Sequence, residues 1–247
     1  MMVSSLNPMT LLPRRSLNRL MKKPEGRAFL LQSMAEAEEA DERGVFDALL
    51  ARVDDEKLQQ LVRIHVADEE RHAGLLRGVV ARIDAAPPPV PHELQYVQRL
   101  NAKLDDIGAR FAGGALGVME AYAFLEFIEA RAVREWPAIV AELRRYDTGS
   151  ADVVASIVAD EARHVKYARA IARRYAPDDA TLAATRARIK AAEARAFAEH
   201  GSAFLRFIVG NDLMDVGGAE RAMWRVLSRA SAPVPFAATT PAMQHAA

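Results

Sequence analysis

The chain has 247 residues, 51% of them hydrophobic, enough to bury a full core without covalent staples. It contains no cysteine, which excludes disulfides, thiolate-held iron–sulfur clusters, cysteine-ligated zinc and a cysteine nucleophile, so any metal must be held by oxygen and nitrogen. Lysine plus arginine equal aspartate plus glutamate at 33 each, so no net field points to nucleic acid or to an anionic membrane.

The first stretch, 1–22, reads as a basic arm. Its Arg14, Arg15, Arg19, Lys22 and Lys23 suit a solvated segment better than a contact with tRNA, lipid headgroups or an acidic partner. No apolar stretch follows Arg14-Arg15, and no run of about eighteen apolar residues occurs, so a cytoplasmic location is expected rather than export or membrane insertion. From Pro24 the sequence is rich in Ala, Leu, Arg and Glu and poor in β-branched alternation, which predicts an all-α chain. A first long helix is expected from Pro24 to about Val53, and Asp54-Asp55 caps a second, from about Asp55 to Asp84. Pro87-Pro88-Pro89 stops that helix in a crossover, and a third of moderate length follows from about His92 to Phe111.

Gly113-Gly114 breaks the chain before a long helix, about Ala115 to Arg145, interrupted or kinked at Pro137. Asp147-Thr148-Gly149-Ser150 is the next turn, with Ser150 as cap of a helix that ends before Pro177. A sixth helix, about Asp179 to Ile208, and a seventh, about Gly218 to Ser231, precede a tail at 232–247. The apolar stretch Phe204-Leu205-Arg206-Phe207-Ile208-Val209 could line a substrate channel, form a homodimer contact or lie on a membrane; packing on the bundle is its simplest use.

Two words, Asp68-Glu69-Glu70-Arg71-His72 and Asp160-Glu161-Ala162-Arg163-His164, repeat one pattern, D-E-x-R-H. Carboxylate and imidazole three positions apart lie on one helix face, nearly one turn from each other, where both can bind one metal ion. A single E-x-x-H arises readily by chance, whereas the repetition of all four identities does not; the competing reading is a solvated face of salt bridges. The surrounding hairpins are also alike. A shift of about 90 residues places Glu36 on Glu126, Glu39 on Glu129 and Phe46 on Trp136, and a shift of about 92 places Glu69 on Glu161 and His72 on His164.

Glu39 and Glu69 lie equally far from the turn near Asp54, so antiparallel helices bring them to one height, and Glu129 is the counterpart beside Glu161 and His164. In the second hairpin the same count leaves Glu129 and Glu161 out of step by about 12 Å, which a break at Pro137 would reduce. Four carboxylates without a cation would be costly to bury, and an oxygen-rich set with two imidazoles suits iron or manganese. Glu36 and Glu126 are neighbours that could bridge or shift. Asp68 and Asp160 fit either as acceptors holding the other hairpin's histidine or as surface partners of arginine. His65, one turn before Glu69, is an extra ligand or proton carrier, or, as its duplicate Ile157 favours, a satisfied core histidine. The phenol of Tyr122, two turns before Glu129, is the catalytic candidate for electron transfer or oxygen chemistry, with core packing as the alternative; Tyr167 has the same standing.

With Glu39, Glu69-x-x-His72, Glu129 and Glu161-x-x-His164 in this order, the region Pro24 to Tyr175 resembles the ferritin-like di-iron carboxylate superfamily, whose pattern is E…E-x-x-H…E…E-x-x-H on four helices. The resemblance implies a four-helix bundle over 23–176 with a long crossover and two Fe ions; the C-terminal helices at 177–231, expected to pack on the bundle, and the basic N-terminal arm depart from the family pattern. It also implies reaction with dioxygen or peroxide to oxidise a small organic substrate, using an electron donor the sequence does not identify. Ferroxidase or iron-handling chemistry, and a helical scaffold with a vestigial metal site, are the alternative functions.

Overall fold

A computed structural model describes residues 14–40, 43–109, 111 and 113–230, and among these it contains helices and no strand. The helices are α1 (Arg14–Lys22), α2 (Pro24–Ala40), α3 (Arg43–Arg52), α4 (Glu56–Val80), α5 (Tyr96–Ala102), α6 (Gly114–Leu143), α7 (Thr148–Tyr175), α8 (Asp179–Gly210) and α9 (Gly218–Ala230). No helix among the described residues is long and apolar enough to cross a membrane.

Local chemistry sets the helix ends. Asp55 accepts hydrogen bonds from the Lys57 and Leu58 amides and caps α4, as the sequence predicts. At α7 the cap is Asp147, which accepts from the Ser150 amide at 3.0 Å; Ser150, predicted to be the cap, lies inside the first turn. Gly113 and Gly114 have φ of +83° and +74°, a left-handed backbone that side chains disfavour, and they turn the chain into α6. α6 then runs through Pro137 without interruption. The predicted helix over 92–111 shrinks to a 3-10 turn and α5, because polar side chains capture the backbone after Ala102: Asn101 accepts from the Ile107 amide and Asp106 from that of Ala109. Within the predicted first long helix the described residues form α2 and α3, and residues 41–42 fall outside the described residues.

α2 pairs with α4 and α6 with α7, and the pairs join where α4 meets α7. The long connection from α4 to α6 carries α5, and α8 lies across α6 and α5. On α4 the buried positions Leu58, Val62, His65, Glu69, His72, Leu76 and Val79 form a four-three stripe, with Ala73 buried beside it. α7 repeats it with Ser150, Val154, Ile157, Glu161, His164, Ala168 and Ile171, with Ala151 and Ala172 buried beside it. The middle of each stripe is polar and, apart from Ser150, its ends are apolar. One apolar cluster therefore gathers Phe46, Leu58, Val62, Phe124 and Ile171, a second gathers Leu31, Leu76, Ile139 and Val154, and a polar layer lies between them.

The basic segment is not a solvated arm over its described part. Leu20 and Met21 are buried, and Arg19, Lys22 and Lys23 pair with Glu220, Asp215 and Asp212 after α8, an acidic partner within the same chain. The side chains of Arg14 and Arg15 and the tail at 232–247 fall outside the described residues. Gly26 allows this docking: a Cβ there would collide with the carbonyl oxygens of Leu213 and Leu20. Gly26→Ala is expected to lower stability by about 1–3 kcal/mol in urea unfolding despite the better helix propensity of alanine. An unchanged unfolding midpoint would contradict the close approach.

Candidate metal centre

The polar layer brings seven ionisable groups together from four helices. Two overlapping sets, His65, Glu69, Glu129 and His164, and Glu38, Glu69, His72 and Glu161, each place their nitrogen and carboxylate atoms within 4.8 Å of one another. Glu69 belongs to both. The Nδ1 of His72 lies 2.9 Å from Glu161 Oε1 and 3.1 Å from Glu38 Oε2. His164 Nδ1 lies 2.8 Å from Glu161 Oε2 and 3.3 Å from Glu69 Oε1, and His65 Nε2 approaches Glu129 and Glu69 at 2.9 and 3.0 Å.

The other face of each motif imidazole is held from the opposite hairpin. His72 Nε2 lies 3.3 Å from Asp160 Oδ2, and His164 Nε2 lies 3.3 Å from Asp68 Oδ2. Arg71 bridges the two aspartates at 2.8 and 2.7 Å, and Arg163 binds both as well. The two roles weighed for these aspartates are thus combined: each accepts from an arginine at the surface and faces a buried ring beneath. All four recurring letters of the D-E-x-R-H words are used, and Nδ1 of both rings is turned toward the carboxylates.

Burial and charge act against each other here. Burial, followed by the charge of Glu69, pushes the Glu38 carboxyl well above the usual carboxylate range. Burial also works to raise Glu69, but the hydrogen bonds of His164, His65 and His72 overcome it and hold this group well below. Burial would lower the histidines, yet Glu161, Glu38 and Glu69 raise His72 to about 12, and Glu161 with Glu69 raises His164 to about 9. His65 moves the other way, lowered chiefly by burial. Asp160 falls to about 2 against its own burial because Arg71 and Arg163 bind it.

The predicted residues fare unequally. Glu69, His72, Glu129, Glu161 and His164 come together, while Glu39 does not: its side chain is 50% exposed and pairs with Arg77. Glu38, 9% exposed, takes the inward position. One residue is a rotation of 100° on a helix, so a one-residue error exchanges inside for outside. Glu38 and Glu129 each stand fourteen residues before the end of their arm, at Arg52 and Leu143, and Glu69 and Glu161 each stand thirteen after the start of theirs, at Glu56 and Thr148. The duplication therefore aligns Glu38, not Glu39, with Glu129. The expected mismatch in the second hairpin disappears because its turn falls at 144–147, earlier than a Ser150 cap implied.

Glu126 is bound by Arg169 and Arg186 at 2.8 and 2.5 Å, away from the cluster, and Glu36 accepts from Gln32 while lining the adjoining cavity. Of the two readings weighed for His65, extra ligand or core histidine, its place in the cluster fits the first. Its ring packs edge-on against Phe46 and Tyr167, with centroids 4.7 and 5.4 Å away. Tyr122 is buried in the apolar cluster, where burial raises its pKa, and it does not line the cavity; Tyr167, beside His65 and His164, is the phenol nearer the imidazoles.

A cavity of about 150 Å³ adjoins the layer and is lined by Glu38, Glu69 and Glu129 on one side. Its remaining wall is largely apolar and aromatic, including Trp136, Phe197 and Phe204, with Gln95, Tyr96, Arg131 and His200 as polar members that the sequence did not flag. Arg131 donates from Nε to Glu193 at 2.7 Å and from Nη1 to Glu135 at 3.1 Å, and its guanidinium lies 3.5 Å from the Phe197 ring centroid. This buried pair ties α6 to α8 and shapes the wall.

The donor set fits a metal. Glu69 Oε1 and Glu161 Oε1 are buried without a properly directed hydrogen bond, although imidazole nitrogens stand 3.0 and 2.9 Å away. Oxygen and nitrogen atoms able to ligate thus converge on common points, and the buried His/Glu group is able to bind a metal ion. Comparison of the chain with protein-family profiles, curated protein sequences and solved structures finds no match.

At neutral pH the raised pKa values leave His72 and His164 protonated in the metal-free protein, and a ligated Nδ1 must give up its proton. Co(II) or Zn(II) affinity is therefore expected to rise with pH from about 6 toward 9, about tenfold per unit for each proton released. Calorimetric titration in buffers of different ionisation enthalpy measures the release. Binding without proton release would contradict this protonation scheme.

Proposed function

We propose that the protein is a ferritin-like di-iron carboxylate oxidoreductase that oxidises or hydroxylates a small organic substrate with dioxygen or peroxide. The observation that carries this reading is a seven-donor layer whose Glu38, Glu69 and Glu129 line a mostly apolar cavity of about 150 Å³. The ligand order matches the superfamily pattern once Glu38 replaces Glu39. Glu69, common to both donor sets, suits a bridge between two ions. Two divalent cations would carry four positive charges, the number that four carboxylates require, and iron, with manganese as the alternative, suits oxygen donors with a few imidazoles.

Bound iron would supply the electron transfer to oxygen. The chain's own residues do the rest. Glu38, His72 and Glu161 would hold one ion and His65, Glu129 and His164 the other, with Asp160 and Asp68 fixing the orientation of the two motif rings. The aromatic wall excludes water and keeps the substrate beside the carboxylates. Hydroxylation with dioxygen draws two electrons from the substrate and two from an external reductant, and releases water; with peroxide no external reductant is needed. An enclosed apolar chamber favours an organic substrate over iron storage, which has no use for one.

Anaerobic Fe(II) titration followed by stopped-flow exposure to oxygen tests the proposal. Two irons per chain and a transient visible absorption are expected. Glu38→Ala should lower the iron stoichiometry and Glu39→Ala should leave it unchanged. Oxygen consumption no faster than that of free Fe(II), or equal stoichiometry in the two variants, would contradict the assignment.

A further inference from the structure

The polar atoms around the cavity are unevenly supplied with partners. Arg131, the cation in its wall, is committed: Nε and Nη2 bind Glu193, Nη1 binds Glu135, and Phe197 covers its face. The Tyr96 hydroxyl gives its proton to Glu193 Oε1 at 3.0 Å, which leaves its oxygen only accepting capacity. Gln95 Oε1 and His200 Nδ1 are buried without hydrogen-bond partners. His200 is neutral, since burial and then the charge of Arg99 push its pKa down to about 4, and a neutral imidazole offers one accepting nitrogen. The residue lines the cavity.

The cation in the wall is therefore committed while two accepting atoms lack partners, and the carboxylates Glu36, Glu38, Glu69, Glu129 and Glu135 add negative charge to the same chamber. A carboxylate or phosphate entering here would meet the repulsion of these carboxylates and no uncommitted cation. A hydroxyl or amine would satisfy acceptors that are otherwise buried at a cost. The volume matches a ring of about benzene size, and Trp136, Phe197 and Phe204 offer it aromatic walls.

We infer that the cavity selects a small, ring-sized apolar molecule whose polar end is a hydrogen-bond-donating, non-anionic group, an alcohol or an amine, received by Gln95, Tyr96 and His200. This rests on the proposed function in one respect, that the bound molecule is the one oxidised at the neighbouring carboxylate layer. These three residues are specificity determinants that position the molecule, and none belongs to the metal-binding set.

The test is isothermal titration of the metal-free full chain with toluene, benzaldehyde, benzyl alcohol and benzoate, which share a ring and differ in the polar end. Benzyl alcohol is expected to bind about tenfold tighter than toluene or benzaldehyde, the worth of one satisfied donor, and benzoate is expected to bind weakest. His200→Phe and Gln95→Leu, checked for folding by circular dichroism, should each erode the preference for benzyl alcohol while leaving toluene affinity intact. Benzyl alcohol no tighter than toluene, a preference that survives both substitutions, or no binding of any of the four at millimolar concentration overturns the inference. Elemental analysis of iron-loaded protein from the same preparation separates the two failures. Iron without donor selectivity sinks the inference alone, and donor selectivity without iron sinks the proposed function alone.

Discussion

Four carboxylates and three imidazoles share one dry layer, and every other feature of the molecule is arranged around the need to keep them there. Transferring a single ion into such surroundings costs several kcal/mol, so the layer persists only because the charges compensate one another at short range. Imidazole nitrogens within about 3 Å of Glu69 and Glu161 provide that compensation in the metal-free protein, while burial and the charge of Glu69 hold the Glu38 carboxyl well above the usual range. Short-range compensation demands equal heights on four helices. The hairpin turns supply them, with Glu38 and Glu129 at one count from their turns and Glu69 and Glu161 at another.

The same layer is clamped from outside by two aspartates and two arginines that cross between the motif helices. This clamp orients each ring through Nε2 and leaves Nδ1 facing inward. Apolar clusters above and below seal the layer from solvent. On the remaining side a cavity adjoins it, walled in part by residues of α5, α6 and α8, where Arg131 and Tyr96 both donate to Glu193. The layer and the chamber beside it are thus framed by two separate ionic networks, one crossing between hairpins and one joining α6 and α5 to α8.

Much of this architecture was legible in the sequence because helical spacing is regular. The repeated D-E-x-R-H words placed Glu69, His72, Glu161 and His164, and the caps and prolines marked most helix ends. What failed did so for local reasons. Sequence identity favoured a shift of about 90 between the halves, whereas the geometry follows 91 before the turn and 92 after it, and that single residue moved the inward position from Glu38 to Glu39. A proline inside a helical stretch predicts a break or kink at Pro137 that α6 does not show, and a cap at Ser150 instead of Asp147 puts the turn too late. His65 was discounted because its duplicate is Ile157, and symmetry arguments are blind to the one place where two halves differ. The four-three stripe through Leu58, Val62, His65 and Glu69 was the signal that would have included it. Gln95, Tyr96 and His200 lie on elements outside the duplication, where no pattern announced them.

Anomalous diffraction at the iron edge, from crystals grown anaerobically with Fe(II), tests the central claim most directly. The account predicts two peaks inside the bundle on either side of Glu69, one bounded by His65, Glu129 and His164 and the other by Glu38, His72 and Glu161. A single peak, or iron confined to the molecular surface, would contradict it.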